Sequence, residues 1–85
     1  MTASPSAAGE LLRYLAQGLV SEPDQVSVNE VHEEDGSVLL ELSVGDHDYG
    51  NVIGRGGRTA SALRTVIKAA AAKHGHRVFI DIVDG

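Results

Sequence analysis

The sequence predicts an α+β fold with element order αββααβ, three helices packed on one face of a mixed three-stranded sheet. Three observations carry this. Leu11, Leu12, Leu15 and Leu19 recur at helical spacing. Val38, Leu40, Leu42 and Val44 alternate with Leu39, Glu41 and Ser43 as a half-buried strand does, just after an Asp35-Gly36 turn signal. A loop with three glycines among four residues, Gly54-Arg55-Gly56-Gly57, separates two helical stretches, and a β-branched run, Val78 to Val83, closes the chain.

Residues 1–8 are small and polar and are expected to form a flexible N-terminus, with Ser4-Pro5 able to open a helix. The first helix is expected from about Gly9 to Val20, with Tyr14 at the edge of its leucine stripe and packed against the sheet. Pro23 ends it, because a residue before proline is biased away from helix. Val26, Val28 and Val31 belong to the next strand, and their broken alternation predicts a bulge between Val28 and Val31. Asp35-Gly36 supplies the turn to the second strand. Asp46 is a candidate N-cap for a short helix through Ile53. The long helix is expected from Arg58 to about Lys73, burying Ala60, Leu63, Val66, Ile67 and Ala70, with Gly75 as its C-terminal cap. In the last strand Val78, Ile80 and Ile82 face inward. The hairpin makes the first two strands antiparallel, and a two-helix crossover makes the third parallel to the second.

Eighty-five residues allow one domain with a small core, residues 9–85 here. Aromatics are only 4% of the chain, so Val, Ile, Leu and Ala must fill that core. The absence of cysteine excludes a disulfide scaffold and thiolate metal sites. His74 and His76 flank a helix-ending glycine without recognisable ligand spacing, and no nucleophile elbow is present, so neither a metal nor catalysis is expected. No apolar run is long enough to span a membrane and no signal-peptide layout opens the chain, which makes a cytoplasmic location the expectation.

The net charge of −5 would disfavour a nucleic-acid partner if it were evenly spread. It is not. Residues 1–50 hold ten acids and one base, whereas residues 51–80 hold Arg55, Arg58, Arg64, Lys68, Lys73 and Arg77 with no acid. The glycine loop lies inside this basic block. Glycine permits both sharp turns and close backbone approach to a ligand. The following helix start offers unpaired N–H groups to an anion, and Arg55 and Arg58 add forked donors, so phosphate is the expected guest. A Walker loop is excluded, since Val52 stands where its first glycine must be and Arg58 where its lysine must be. A dinucleotide fingerprint fails at Thr59, where it requires glycine.

The pattern Val52-Ile53-Gly54-x-x-Gly57, followed by Ala60 and Leu63, resembles the KH domain, whose G-x-x-G loop clamps about four nucleotides of single-stranded RNA or DNA. With the element order it resembles most the small bacterial proteins built of one type II KH domain, the KhpA-type RNA-binding proteins. The resemblance implies a non-enzymatic binder of single-stranded RNA without a cofactor. It implies contacts by Ile53, Gly54, Arg55, Gly56, Gly57, Arg58 and Arg64, with Val52 adding to an apolar bed for bases and Lys68 extending the cationic track. It also implies a homodimer or a heterodimer with a second KH-containing protein, and a role as RNA chaperone or post-transcriptional regulator. Asn51 stands where such proteins often carry a base, and Ala60 is smaller than the usual aliphatic. The competing reading is a KH-fold protein-interaction module whose acidic first half is the docking surface. A small-molecule phosphate binder is more remote, given both failed fingerprints.

Overall fold

The computed structural model describes residues 5–84. Its elements are α1 (Pro5–Gln17), β1 (Ser27–His32), β2 (Val38–Val44), α2 (Tyr49–Ile53), α3 (Arg58–Ala72) and β3 (Val78–Asp84), with 3-10 turns at Pro23–Gln25, Asp46–Asp48 and Arg55–Gly57. The sheet order is β1-β2-β3, antiparallel across the hairpin and parallel between β2 and β3. The predicted αββααβ sandwich is therefore the fold.

The first helix begins earlier and ends sooner than periodicity suggested. Pro5, with its φ preset for a first helical position, opens α1, so residues 5–8 of the expected flexible stretch enter the helix. Residues 1–4 lie outside the described residues. At the other end the Gly18 amide donates to the carbonyls of Tyr14 and Leu15 at 3.3 and 3.2 Å, closing the helix before Leu19, which is 43% exposed. Ala8, Leu12 and Ala16 form the buried line, with Leu11 and Leu15 packed beside it. Small residues serve because the helix lies close to the sheet: a Cβ on Gly9 would stand 3.7 Å from both Leu40 and Val28. Tyr14, expected on the sheet, is instead 74% exposed.

The expected bulge is absent. The β1–β2 register runs without interruption from Ser27 opposite Ser43 to His32 opposite Val38. Val28, Glu30 and His32 thus share the helix-facing side with Leu42, Leu40 and Val38, while Val31 falls on the open side opposite Leu39. Regular pairing places a carboxylate where a valine had been expected. Glu30 Oε1 is buried with no hydrogen-bond partner among the described residues, and Oε2 lies 3.0 Å from His32 Nε2. The hairpin turn is built as its sequence implied: the Gly36 amide donates to Glu33 O, Gly36 adopts φ +88°, and Asp35 accepts from both the amide and the hydroxyl of Ser37.

Leu40 and Leu42 of β2, Leu12 of α1, Val52 of α2 and Ile67 of α3 are fully buried and form the centre of the core. On α3 the buried line is Ala60, Leu63, Ile67 and Ala71; Val66, predicted inward, is 48% exposed because it sits one position off that line. The helix ends in a Schellman turn, with Gly75 at φ +76° donating to Ala72 O and His76 donating to Ala71 O. Val78, Ile80 and Ile82 point into the core as predicted.

Candidate nucleic-acid interface

The loop between α2 and α3 is shaped by three glycines with positive φ: +77° at Gly54, +64° at Gly56 and +77° at Gly57. They are not equivalent. Gly54 combines φ +77° with ψ 170°, a region essentially closed to other residues, and a Cβ there would collide with the Thr59 hydroxyl and lie 2.9 Å from the Thr59 nitrogen. A Cβ on Gly56 or Gly57 would meet nothing within 4 Å. Gly54 therefore lets α3 approach the end of α2, while Gly56 and Gly57 turn the chain and leave its surface bare.

The Gly54 amide still bonds back to Gly50 O at 2.8 Å, and the Gly57 amide to Gly54 O at 3.1 Å, so the loop is a tight reversal rather than an open strand. No side chain caps the start of α3. Arg55 and Arg58 are both exposed at this turn. An uncapped helix start with two guanidinium groups beside it attracts anions.

The other predicted residues divide. Ile53 is half-buried beside the loop, with an edge left open to solvent, whereas Val52 is wholly within the core and can touch no base. Arg64 is half-buried and its Nε donates to the Ile80 carbonyl at 3.3 Å, which ties it to the free edge of β3. Lys68, one turn further along α3, places Nζ 5.1 Å from the centre of the Phe79 ring. The cations thus follow one flank of α3 from the loop toward the beginning of β3. An open groove of about 280 Å³ lies elsewhere, between α1 and β1, lined by Glu10, Arg13 and Glu30.

Sequence reasoning missed the residue that secures the loop's support. Asp46 caps nothing; it lies within the 3-10 turn. Asp48 is the buried acid, 1% exposed, accepting from the Ser21 amide at 2.9 Å, the Ser21 hydroxyl at 3.0 Å, the Glu22 amide at 3.1 Å and Asn51 Nδ2 at 3.3 Å. The Ser21 amide leads these donors in holding the Asp48 carboxyl below its ordinary value of 3.8, against the opposing effect of burial. Asn51, noted only as a missing cation, is one of those partners. No local signal marks this knot, because Ser21 and Asp48 are far apart in the chain.

A G-x-x-G reversal between two helices, on an αββααβ sandwich whose third strand is parallel to the second, defines a type II KH domain. The model of the KhpA/KhpB KH domain matches residues 9–82. The chain belongs to the KhpA/KhpB KH-domain family. Two proteins named RNA-binding protein KhpA illustrate the relationship. That of Caldanaerobacter subterraneus is 48% identical over 75 residues, 88% of this chain and 99% of its own. That of Clostridium acetobutylicum is 51% identical over 74 residues, 87% of this chain and 97% of its own. Among solved structures, Aquifex aeolicus Era bound to GDP.AlF4- matches with a TM-score of 0.62 at 17% identity, covering 92% of this chain. The chain spans 30% of that Era chain, and at such identity the likeness concerns the fold alone. No helix among the described residues is long and apolar enough to cross a membrane.

Proposed function

We propose that this chain binds single-stranded RNA with the Gly54–Gly57 loop as its phosphate clamp, and that it does so as a binding module without catalysis. The observation that carries the reading is the loop itself. Gly56 and Gly57, both at positive φ, bring bare backbone to the surface at an uncapped helix start, between two exposed arginines. Arg55 and Arg58 hold phosphates, Gly54 keeps the reversal tight, Gly56 and Gly57 admit the RNA backbone, and Ile53 offers apolar surface to a base. Arg64 continues the track along α3. The names of the relatives agree with RNA as the ligand.

A clamp for about four nucleotides is a weak reader alone, so pairing with a second copy or with another KH-containing protein raises avidity. A cytoplasmic RNA chaperone or post-transcriptional regulator is the corresponding role.

The test is Arg55→Asp combined with Gly56→Asp. Aspartate tolerates the left-handed conformation of residue 56, and the space around that position is open, so the variant should fold. Fluorescence anisotropy with a mixed-sequence single-stranded RNA should show binding reduced at least tenfold, with an unchanged circular dichroism spectrum. Equal binding by both proteins would instead favour the protein-interaction module.

A further inference from the structure

Phe79 is the only phenylalanine of the chain and is 42% exposed at the start of β3, the strand whose free edge borders α3. Lys68 Nζ stands 5.1 Å and the Arg77 guanidinium 5.9 Å from its ring centre. On this side an open concavity of about 490 Å³ runs from Lys68 and Ala72 of α3, past Gly75 of the helix cap, to Arg77 and Phe79. No acid lines it. The opposite flank of the ring faces the hairpin, where Glu33, Glu34 and Asp35 border a second open depression beside Leu39 and Phe79. Further along the open face of the sheet, Asp81 stands opposite Glu41.

We infer that Phe79, Lys68 and Arg77 form a second nucleotide subsite, in which a base stacks on the Phe79 ring and its flanking phosphates lie on the Lys68 and Arg77 side. This rests on the RNA-binding reading and extends the path beyond the glycine loop, since Arg58 and Lys68 are separated by about 15 Å of helix axis. Arg64 bridges the interval, tied by its Nε to Ile80, the neighbour of Phe79.

Charge selects the occupant and its direction. An apolar ring alone would suit many partners. One bordered by two cations on one flank and three acids on the other suits a ligand with a flat apolar face and an anionic backbone on one side. A nucleotide has that form. The present cation–ring contacts do not oppose it, because an exposed contact of this kind contributes about two- to fivefold to an equilibrium constant. Stacking of a base on an aromatic side chain contributes about fivefold to a hundredfold. A stacked base therefore displaces the cations from the ring, and they remain beside it as phosphate ligands.

The test uses Phe79→Leu, which keeps an apolar side chain of similar bulk at this half-exposed position, and Phe79→Tyr, which keeps the aromatic face. The probe is a mixed-sequence single-stranded RNA decamer, unlabelled or carrying 2-aminopurine at successive positions. Phe79→Leu should lower decamer affinity about fivefold or more with little change in salt slope, and Phe79→Tyr should retain it. Lys68→Ala and Arg77→Ala should each make the log–log salt slope less negative by about 0.7. In the unmodified protein, fluorescence at one 2-aminopurine position should be quenched by stacking, and Phe79→Leu should abolish that quenching.

Equal decamer affinity for the unmodified protein and Phe79→Leu would overturn the subsite. So would the absence of quenching at every position in the unmodified protein, which decides the matter even if Phe79→Leu fails to fold. If Phe79→Leu leaves RNA binding intact and changes the sedimentation coefficient, the ring serves a protein contact and the inference falls. The Arg55→Asp, Gly56→Asp variant separates this inference from the one it rests on. Binding that survives in that variant and depends on Phe79 removes the loop clamp and leaves the subsite. Binding lost in that variant but indifferent to Phe79 does the reverse.

Discussion

Gly54 and Asp48 show how much of the site depends on single groups. At Gly54 two constraints coincide, a backbone region nearly reserved for glycine and the close approach of Thr59, so Gly54→Ala is expected to cost about 1–3 kcal/mol from conformation alone. The collision with Thr59 adds to that. Gly57→Asn needs only the ordinary left-handed conformation in open space and should cost less than Gly54→Ala; urea denaturation of both variants checks the order. Asp48 makes a pH prediction. Its carboxyl titrates below the usual value when folded, as does that of Asp35 under the Ser37 hydroxyl and amide. A depressed folded pKa gives stability that is fully present above the unfolded value near 3.8 and is lost as pH falls through the folded value. The part of the thermal stability that Asp48 and Asp35 contribute should therefore be lost as the pH falls below about 4. Asp48→Asn, which keeps shape but loses the charge that two backbone amides recognise, should lower the melting temperature at pH 7 and flatten that acid decline.

At the scale of elements, β1 and β2 differ in a way their sequences only partly disclose. β2 alternates cleanly because it is the central strand, paired on both sides and covered by helices on one face, and each inward position is a large aliphatic. β1 is an edge strand, where an inward position can be filled by a long side chain whose end reaches the rim. Glu30 does so imperfectly, leaving Oε1 buried and unpaired. Glu30→Val removes that oxygen and places a β-branched apolar side chain opposite Leu40, so it should stabilise the fold by about 1 kcal/mol, read from the urea midpoint at constant m-value. A bulge at this site would give the opposite sign, since residue 30 would then face solvent.

For the whole molecule, the separation of charge matters more than its total. The acidic residues dominate the first half of the chain and the cations follow the loop and α3, so the flank of α3 can attract an anionic ligand although the net charge is −5. If about three phosphates are neutralised at the loop and Arg64, a short RNA held there should lose binding with salt at a log–log slope near −2, from about −0.7 per contact on single strands, and contacts at Lys68 and Arg77 should take a longer RNA to about −3.5. A flat response across the same salt range would remove phosphate contacts as the source of affinity.

The sequence by itself determined the order of elements, the hairpin turn, the inward faces of β2 and β3, the glycine reversal and the basic block around it. Each depends on near neighbours: a period of two or of 3.6, a glycine at a positive φ, a helix cap. What only the tertiary structure decided depends on segments distant in the chain. Glu30 rather than Val31 faces the helices because β2 sets the register of β1. Val52 is buried because α3 packs against α2 and draws it into the shared core, leaving Ile53 half-buried beside the loop. Arg64 is held by an edge carbonyl of β3, and Asp48 by amides of the α1–β1 connection. A pattern along the chain shows which side of an element is apolar, but the partner that reaches a given polar atom is fixed only when the elements pack.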